Sequence, residues 1–208
     1  MTIKPGEPWG RTVGRPAGLV VVAGDPELAR LLTAMRDGHD GPPVFAVEGD
    51  FARTLGAPSV EGRLTVNELP VDLIDIRLDG GAITATACAH VVMRNPWWRG
   101  GWWRGSVVVV MNAEYIGEYD VAPRGHPNDG RVEIFEVGST FGVRLRWQVG
   151  RRLRSATHVP HPDIRTRTVR AASWNFRSPM NVWADGRRIG AATGVEVTVT
   201  PDAAVVYA

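Results

Sequence analysis

The hydrophobic pattern of this chain changes near Gly62, and the change restricts the folds that the chain can adopt. Before Gly62, short apolar runs alternate with segments whose apolar residues recur at helical spacing, which indicates a β-α-β-α order. After Gly62, apolar and polar residues alternate with a period of two, which is typical of strands. The sequence therefore predicts an α+β fold in which a small α/β segment precedes an antiparallel β body.

The α/β segment carries local start and stop signals. Residues 19–23 and 43–47 are short apolar runs, and each predicts a buried strand. Asp25 is a suitable N-cap for a helix between them. Residues 50–55 predict a short helix that the glycine after them ends.

The β body is predicted from runs of alternating residues. These runs are residues 73–76, 82–93, 106–111, 131–137, 166–176, 180–184 and 195–199. Residues 141–153 fit both an alternating strand and one face of a helix, and we favour the helix. Asp185 and Gly186 predict a tight turn between two strands.

The composition narrows the class of protein. A chain of 208 residues can bury one good core with a small appendage. Its 44% hydrophobic and 22% charged residues are ordinary for a globular protein and exclude the disordered and fibrous classes. We expect a cytoplasmic protein, since no secretory signal and no run of ~18 apolar residues is present. Cys88 is the only cysteine, which excludes an internal disulfide and a thiolate-rich metal site.

Positive charge is concentrated in one part of the chain. The formal net charge is +2, yet residues 144–170 contain eight arginines and the single acid Asp163. Such a cluster fits either a solvated face or a local anionic partner. For that partner we expect an anionic lipid or the inner membrane face, and no nucleic acid.

A tandem repeat of Trp-Trp-Arg-Gly covers residues 97–100 and 102–105. It predicts either a hairpin whose tryptophans complete a thin core or an interfacial anchor. Tryptophan prefers the membrane interface, and a neighbouring arginine can reach phosphate head groups. The candidate lipid-contacting residues are Trp97, Trp98, Arg99, Trp102, Trp103, Arg104, Arg151 and Arg152.

Seven short segments stand out in order along the chain. They are Val22-Ala23-Gly24-Asp25, residues 49–56, Leu73-Ile74-Asp75-Ile76, Asn112 with Gly117 and Ala122-Pro123, Asn128-Asp129-Gly130, residues 183–187, and Pro201-Asp202-Ala203. In this order they resemble the motifs of the bacterial diacylglycerol kinase and sphingosine kinase family. Each match alone is weak, and the shared order makes the set specific.

The resemblance implies a nucleotide domain of the NAD-kinase type followed by a β-sandwich of the lipid-kinase type. Residues 1–60 would be a shortened remnant of the first, and residues 61–208 would form the second. By the same resemblance, the nucleotide site would contain Gly24, Asp25, Gly49 and Asp50, and Asp129 would help to hold Mg²⁺. Helix capping by Asp25 and Asp50 and a plain turn at Asp129 are the structural alternatives.

The chain departs from the family pattern at positions that are important for phosphate transfer. Pro26 and Glu27 remove an N–H donor and add a carboxylate where the family has Gly-Thr. Glu48 adds further negative charge near the second loop. Arg187 follows the last Asp-Gly, where the resemblance implies an acidic base, and an arginine stays protonated.

These departures favour a noncatalytic lipid-kinase-like protein that binds a lipid, a membrane surface or a protein partner, with no cofactor. An active lipid kinase with a rebuilt site, which would use Mg²⁺ and ATP, is the alternative. A regulatory or structural subunit of another enzyme is the third interpretation, and a homodimer stays open. His158 and His161 have metal-like spacing, although a proline-rich loop explains them as well.

Overall fold

The computed structural model describes residues 9–39, 41–56, 59, 61–140, 142–154 and 164–208. The candidate metal pair His158 and His161 and the start of the ambiguous segment, Phe141, lie outside the described residues. No helix in the described ranges is long and apolar enough to cross a bilayer.

The first part of the chain has the predicted order of strands and helices. Its elements are β1 (Arg11–Gly14), β2 (Val20–Ala23), α1 (Asp25–Arg36), β3 (Val44–Glu48) and α2 (Asp50–Thr54). Strands β2 and β3 pair in parallel, as expected for strands joined by a helix. The expectation of a buried β2 is wrong for Val20 and Val21, which are exposed, because among the described residues β2 pairs only with β3 and forms a sheet edge.

The rest of the chain is dominated by strands. They are β4 (Thr65–Leu78), β5 (Ile83–Ala87), β6 (His90–Arg94), β7 (Val107–Met111), β8 (Tyr115–Ile116), β9 (Tyr119–Asp120), β10 (Val132–Val137), β11 (Ile164–Val169), β12 (Ala171–Ala184) and β13 (Arg187–Tyr207). A 3₁₀ turn (Trp97–Arg99) and the short helix α3 (Gly101–Arg104) separate β6 from β7. Helix α4 (Val143–Leu153) confirms the helical interpretation of the ambiguous segment.

In the described residues, eleven strands form one large, mostly antiparallel sheet, and β8 and β9 pair in a separate two-stranded sheet. The order of the large sheet is β1-β4-β13-β12-β6-β7-β10-β11, and β5 pairs with β4. Strand β3 joins the sheet through a parallel pairing of Phe45 with Tyr207 at the end of β13. The β-sandwich core lies between two parts of this sheet, with Ile74 and Val197 from one part and Met93 and Ile134 from the other.

A second core joins the α/β part to the sandwich. It contains Leu28 and Leu32 of α1 and Phe51 of α2, packed with Val71 of β4 and Val206 of β13. Strands β4 and β13 therefore contribute to both cores. The small α/β part is packed on the end of the sandwich sheet.

Several strand boundaries differ from the predicted ones. Residues 82–93 form two strands that meet at Cys88 and Ala89, and residues 166–176 divide at Arg170. Alternating residues continue through both breaks, because periodicity does not register a bend of the backbone. Strand β13 is far longer than residues 195–199, since it continues through a register shift after Thr200.

Candidate functional site

The four residues expected at a nucleotide site lie together where β2 and β3 end. Gly24 and Gly49 are the N-caps of α1 and α2, with φ angles of 100° and 109°. The Asp25 carboxylate accepts the N–H of Asp50 on Oδ2 at 2.8 Å and that of Phe51 on Oδ1 at 3.1 Å. The sequence predicted that Asp25 caps its own helix, α1. Instead, its side chain binds the first N–H groups of α2.

This contact occupies the place where a phosphate would bind. A phosphate cradle needs backbone N–H groups that point at the ligand, and two of them already donate to Asp25. A Cβ atom on Gly49 would lie 2.3 Å from Asp25 Oδ1, so the space above Gly49 is filled by a carboxylate. Glu27 lies in the first turn of α1 but is exposed and pairs with Arg30. These residues do not fit the phosphates of ATP.

His90, which the sequence analysis did not single out, lies beside the carboxylates of Asp25 and Asp50. The side chain of His90, the first residue of β6, is buried, and its Nδ1 lies 3.6 Å from Asp50 Oδ2. The other oxygen of Asp50 accepts the N–H of Gly117 at 2.6 Å. Burial lowers the pKa of His90, although Asp50 opposes that shift. Burial also raises the pKa of Asp25 to about 6.

Asp185 holds this histidine in place. Its buried carboxylate accepts the N–H groups of Cys88, Ala89 and His90 at 2.8–2.9 Å. Asp185 and Gly186 have φ angles of 48° and 78°, which confirms the tight turn predicted between two strands. Burial raises the pKa of Asp185 to about 7 against the opposing effect of the three hydrogen bonds. Arg187 is exposed at the start of β13.

Asp129 lies in a turn whose polar groups bond one another. Its Oδ1 accepts the N–H of Arg131 at 2.8 Å. Asn128 donates to the carboxylates of Asp72 and Asp202, and Asp72 accepts the N–H of Gly130 at 2.6 Å. In the part of the chain that the structure describes, Asp129 belongs to no group of three potential metal ligands. The arrangement fits a plain Asn-Asp-Gly turn better than a Mg²⁺ site.

The tandem tryptophans are on the surface. Their exposed fractions range from 45% to 81%, so the alternative in which they complete a core is wrong. The segment forms two helical turns instead of a hairpin, because Gly100 and Gly101 reverse the chain with positive φ angles. Helix α4 adds the exposed Trp147 beside Trp103.

Arg146 fixes α4 against the tryptophan segment. Its guanidinium donates to the carbonyls of Trp102 and Gly105, both at 2.6 Å, and to that of Gly138 at 2.9 Å. Arg151 lies over the Trp147 ring at 5.0 Å. We define the tryptophan–arginine surface as Trp97, Trp98, Arg99, Trp102, Trp103, Arg104, Arg144, Trp147, Arg151 and Arg152. Neither residues 94–105 nor residues 143–154, which supply it, contain an acid.

Comparison with known proteins identifies the family. The sequence profile described as "YegS C-terminal NAD kinase beta sandwich-like domain" matches residues 74–208. The chain belongs to this family. The expectation drawn from the seven segments is thus confirmed for the YegS-like sandwich, which begins within β4 and includes the Asp185 turn and the tryptophan–arginine surface.

Solved structures share the fold of this chain. Two solved structures of a putative diacylglycerol kinase from Bacillus anthracis str. Sterne match with a TM-score of 0.63 and 16% identity, over 91% of this chain and 77% of theirs. A third structure, of a diacylglycerol kinase from the same organism, matches with a TM-score of 0.60 over 75% of its length. At such identity the likeness shows a shared fold. No curated protein matches the sequence.

Proposed function

We propose that this chain is a noncatalytic relative of the lipid kinases that attaches to anionic membranes through its tryptophan–arginine surface. The observation that carries the proposal is the exposure of four neighbouring tryptophans on a surface built from segments without acidic residues. Exposed apolar patches of this kind mark interaction sites. The positive charge around the rings is complementary to an anionic bilayer, and for this reason we propose a membrane as the binding partner of this surface.

The energy of attachment is sufficient for reversible binding. Each arginine near an anionic surface contributes about 1 kcal/mol. Partial burial of a tryptophan, roughly 60 Å² at ~25 cal/mol/Å², contributes about 1.5 kcal/mol. Four tryptophans and two arginines give roughly 6–8 kcal/mol before ordering costs, which permits attachment without a spanning segment.

The geometry of the α/β part supports the proposal that this chain does not catalyse phosphate transfer. The N–H groups that would hold phosphate donate to Asp25, and Asp50 and Glu48 add charge of the same sign as ATP. Arg187 stands at the position of the expected base. The retained sandwich then works as a scaffold for the membrane surface.

Vesicle co-sedimentation tests the membrane attachment. We expect the wild type to sediment with vesicles of phosphatidylglycerol and phosphatidylcholine, and far less with phosphatidylcholine alone or at high salt. Trp98→Ala and Trp103→Ala should each lower the partition coefficient by about tenfold, the equivalent of ~1.4 kcal/mol, without changing the melting temperature. Arg104→Ala should weaken binding, whereas Arg30→Ala, an exposed arginine on α1, should not.

Two results would contradict the attachment. One is a wild type that does not sediment with anionic vesicles, which would leave a protein partner as the occupant of the surface. The other is a large fall in the melting temperature of both tryptophan variants, which would show that the rings stabilise the fold.

A kinase assay tests the noncatalytic half separately. With labelled ATP, Mg²⁺ and a panel of lipids we expect no turnover, and no rise in melting temperature at millimolar Mg-ATP. A ligand at 100 times its dissociation constant would stabilise the protein by about 2.7 kcal/mol, which thermal unfolding detects. Arg187→Glu alone should remain inactive because Asp25 still occupies the cradle. Lipid phosphorylation by either protein would show a working nucleotide site.

A further inference from the structure

Asp25, Asp50 and His90 form the one group of potential metal ligands in the described residues. Their ligand atoms all lie within 4.8 Å of one another, although the residues come from α1, α2 and β6. Asp129, where the family resemblance implies Mg²⁺, is not part of this group. The group lies where the α/β part meets strand β6 of the sandwich, and it contains no residue of the tryptophan–arginine surface.

The imidazole of His90 provides an independent sign of a ligand. His90 is 4% exposed, and its Nδ1 has no hydrogen-bond partner among the described residues. A buried polar atom without a partner is costly and rare in native proteins. Nδ1 is directed at Asp50 Oδ2, but the separation of 3.6 Å is too long for a good hydrogen bond.

We infer that Asp25, Asp50 and His90 bind a divalent transition metal ion, of which Zn²⁺ is the best example. In a tetrahedral zinc site with ligands ~2.0–2.1 Å from the ion, ligand atoms are about 3.3 Å apart. The 3.6 Å between His90 Nδ1 and Asp50 Oδ2 is close to this value, and the Asp25 oxygen, which lies within 4.8 Å of both atoms, would move closer to complete the site. Water would take the fourth position, as in zinc sites with three protein ligands.

The donor set selects against Mg²⁺. Magnesium prefers oxygen ligands and keeps several waters, whereas imidazole suits zinc, copper and nickel. The two carboxylates carry negative charge into a buried space, and a divalent cation would neutralise it.

Surrounding groups already orient the ligands. Backbone N–H groups of Asp50 and Phe51 hold the Asp25 carboxylate, and that of Gly117 holds Asp50. Asp185 accepts the backbone N–H of His90 and so fixes the start of β6. Such outer hydrogen bonds typically accompany metal ligands. The Asp50 side chain is 18% exposed and provides the route from solvent.

Metal titration tests the inference. The protein should carry His158→Asn and His161→Asn, so that this pair cannot bind the metal. We expect one Zn²⁺ or Co²⁺ per chain by isothermal titration calorimetry, with a visible Co²⁺ spectrum typical of tetrahedral coordination, and no comparable binding of Mg²⁺. Adding His90→Asn should weaken Zn²⁺ binding by more than about tenfold. Adding His39→Asn, which changes an exposed histidine, should leave it unchanged.

A second variant guards against misfolding. Asp50→Asn keeps the size of the side chain and an oxygen for the Gly117 N–H, so its metal-free melting temperature should be close to that of the parent. Its Zn²⁺ affinity should still fall by about tenfold or more. Absence of Zn²⁺ binding in the parent, or unchanged binding in both variants, would overturn the inference. Trp98→Ala should not alter the titration, which separates this result from membrane attachment.

Discussion

Buried aspartates hold together segments that are far apart in the sequence. Asp25 binds N–H groups of α2, Asp72 binds those of Gly130 and Asp202, and Asp185 binds three at the start of β6. A carboxylate that accepts several N–H groups can remain buried because these donors replace part of its lost hydration. Residues that resemble a catalytic motif therefore also have a structural use.

The contact between Gly49 and Asp25 leads to a prediction at the level of one residue. Gly49→Ala should lower the free energy of unfolding by about 3 kcal/mol, because Gly49 has a φ of +109° and its new Cβ would overlap Asp25 Oδ1. Gly56→Ala is the matched control: it has a φ of +89° but no neighbour within 4 Å, and should cost only about 1–2 kcal/mol. Urea unfolding measures both, and equal losses would show that the overlap is unimportant.

The identity of single motif residues could be read from the sequence, but their partners could not. The segments at residues 22–25 and 49–56 suggested a shared site, and the structure brings them together. Nothing in the sequence linked either one to His90, which lies in an apolar strand and matches no motif. The capping role of Asp25 was assigned to the wrong helix, because a local rule considers only the helix that the residue begins.

At the level of elements, α4 shows how a surface helix can depend on one half-buried arginine. Its apolar residues Leu145, Val149 and Leu153 pack on the core beneath β6, β7 and β10, which is why the helical interpretation was right. Arg146 then ties the helix to the tryptophan segment through three carbonyls. Periodicity predicts the packed face, but it does not reveal the acceptors of an arginine.

Removing this arginine should detach the helix. Arg146→Ala loses three charge-assisted hydrogen bonds and should destabilise the protein by about 2–3 kcal/mol, with faster amide exchange in α4. Arg144→Ala, on the exposed side of the same helix, should change stability by less than about 0.5 kcal/mol. Chemical denaturation and hydrogen exchange would check both. Similar effects of the two substitutions would mean that α4 is held by its apolar face alone.

At the level of the whole molecule, buried carboxyl groups should make stability depend on pH. Burial raises the pKa of Asp25 and Asp72 to about 6 and that of Asp185 to about 7, well above the ~3.9 of an unfolded chain. Between about pH 4 and 7 the folded state therefore holds more protons, and stability contributed by these groups falls as the pH rises. His90 and His126 act in the opposite direction, because burial lowers their pKa.

The substitution Asp185→Asn separates the contribution of Asp185 to this pH dependence from those of the other groups. Asp185→Asn should be less stable overall, and it should also lose part of the decline between pH 4 and 7, up to about 1.4 kcal/mol per pH unit. Urea unfolding at several pH values gives both slopes. Parallel curves for wild type and variant would show that the carboxyl of Asp185 has a similar pKa in the folded and unfolded chain.

Strand β13 contributes to both cores, and it is the last strand to be synthesised. The core around α1 therefore cannot be complete until translation reaches the end of β13. Strand β3 is synthesised roughly 140 residues before β13 begins, yet the end of β13 pairs with β3 and contributes Val206 to the core around α1. At ~5–20 residues per second, the delay is on the order of ten seconds. For that time the nascent segment displays the apolar face of α1 without its final strand, and a chaperone has a surface to bind on the ribosome.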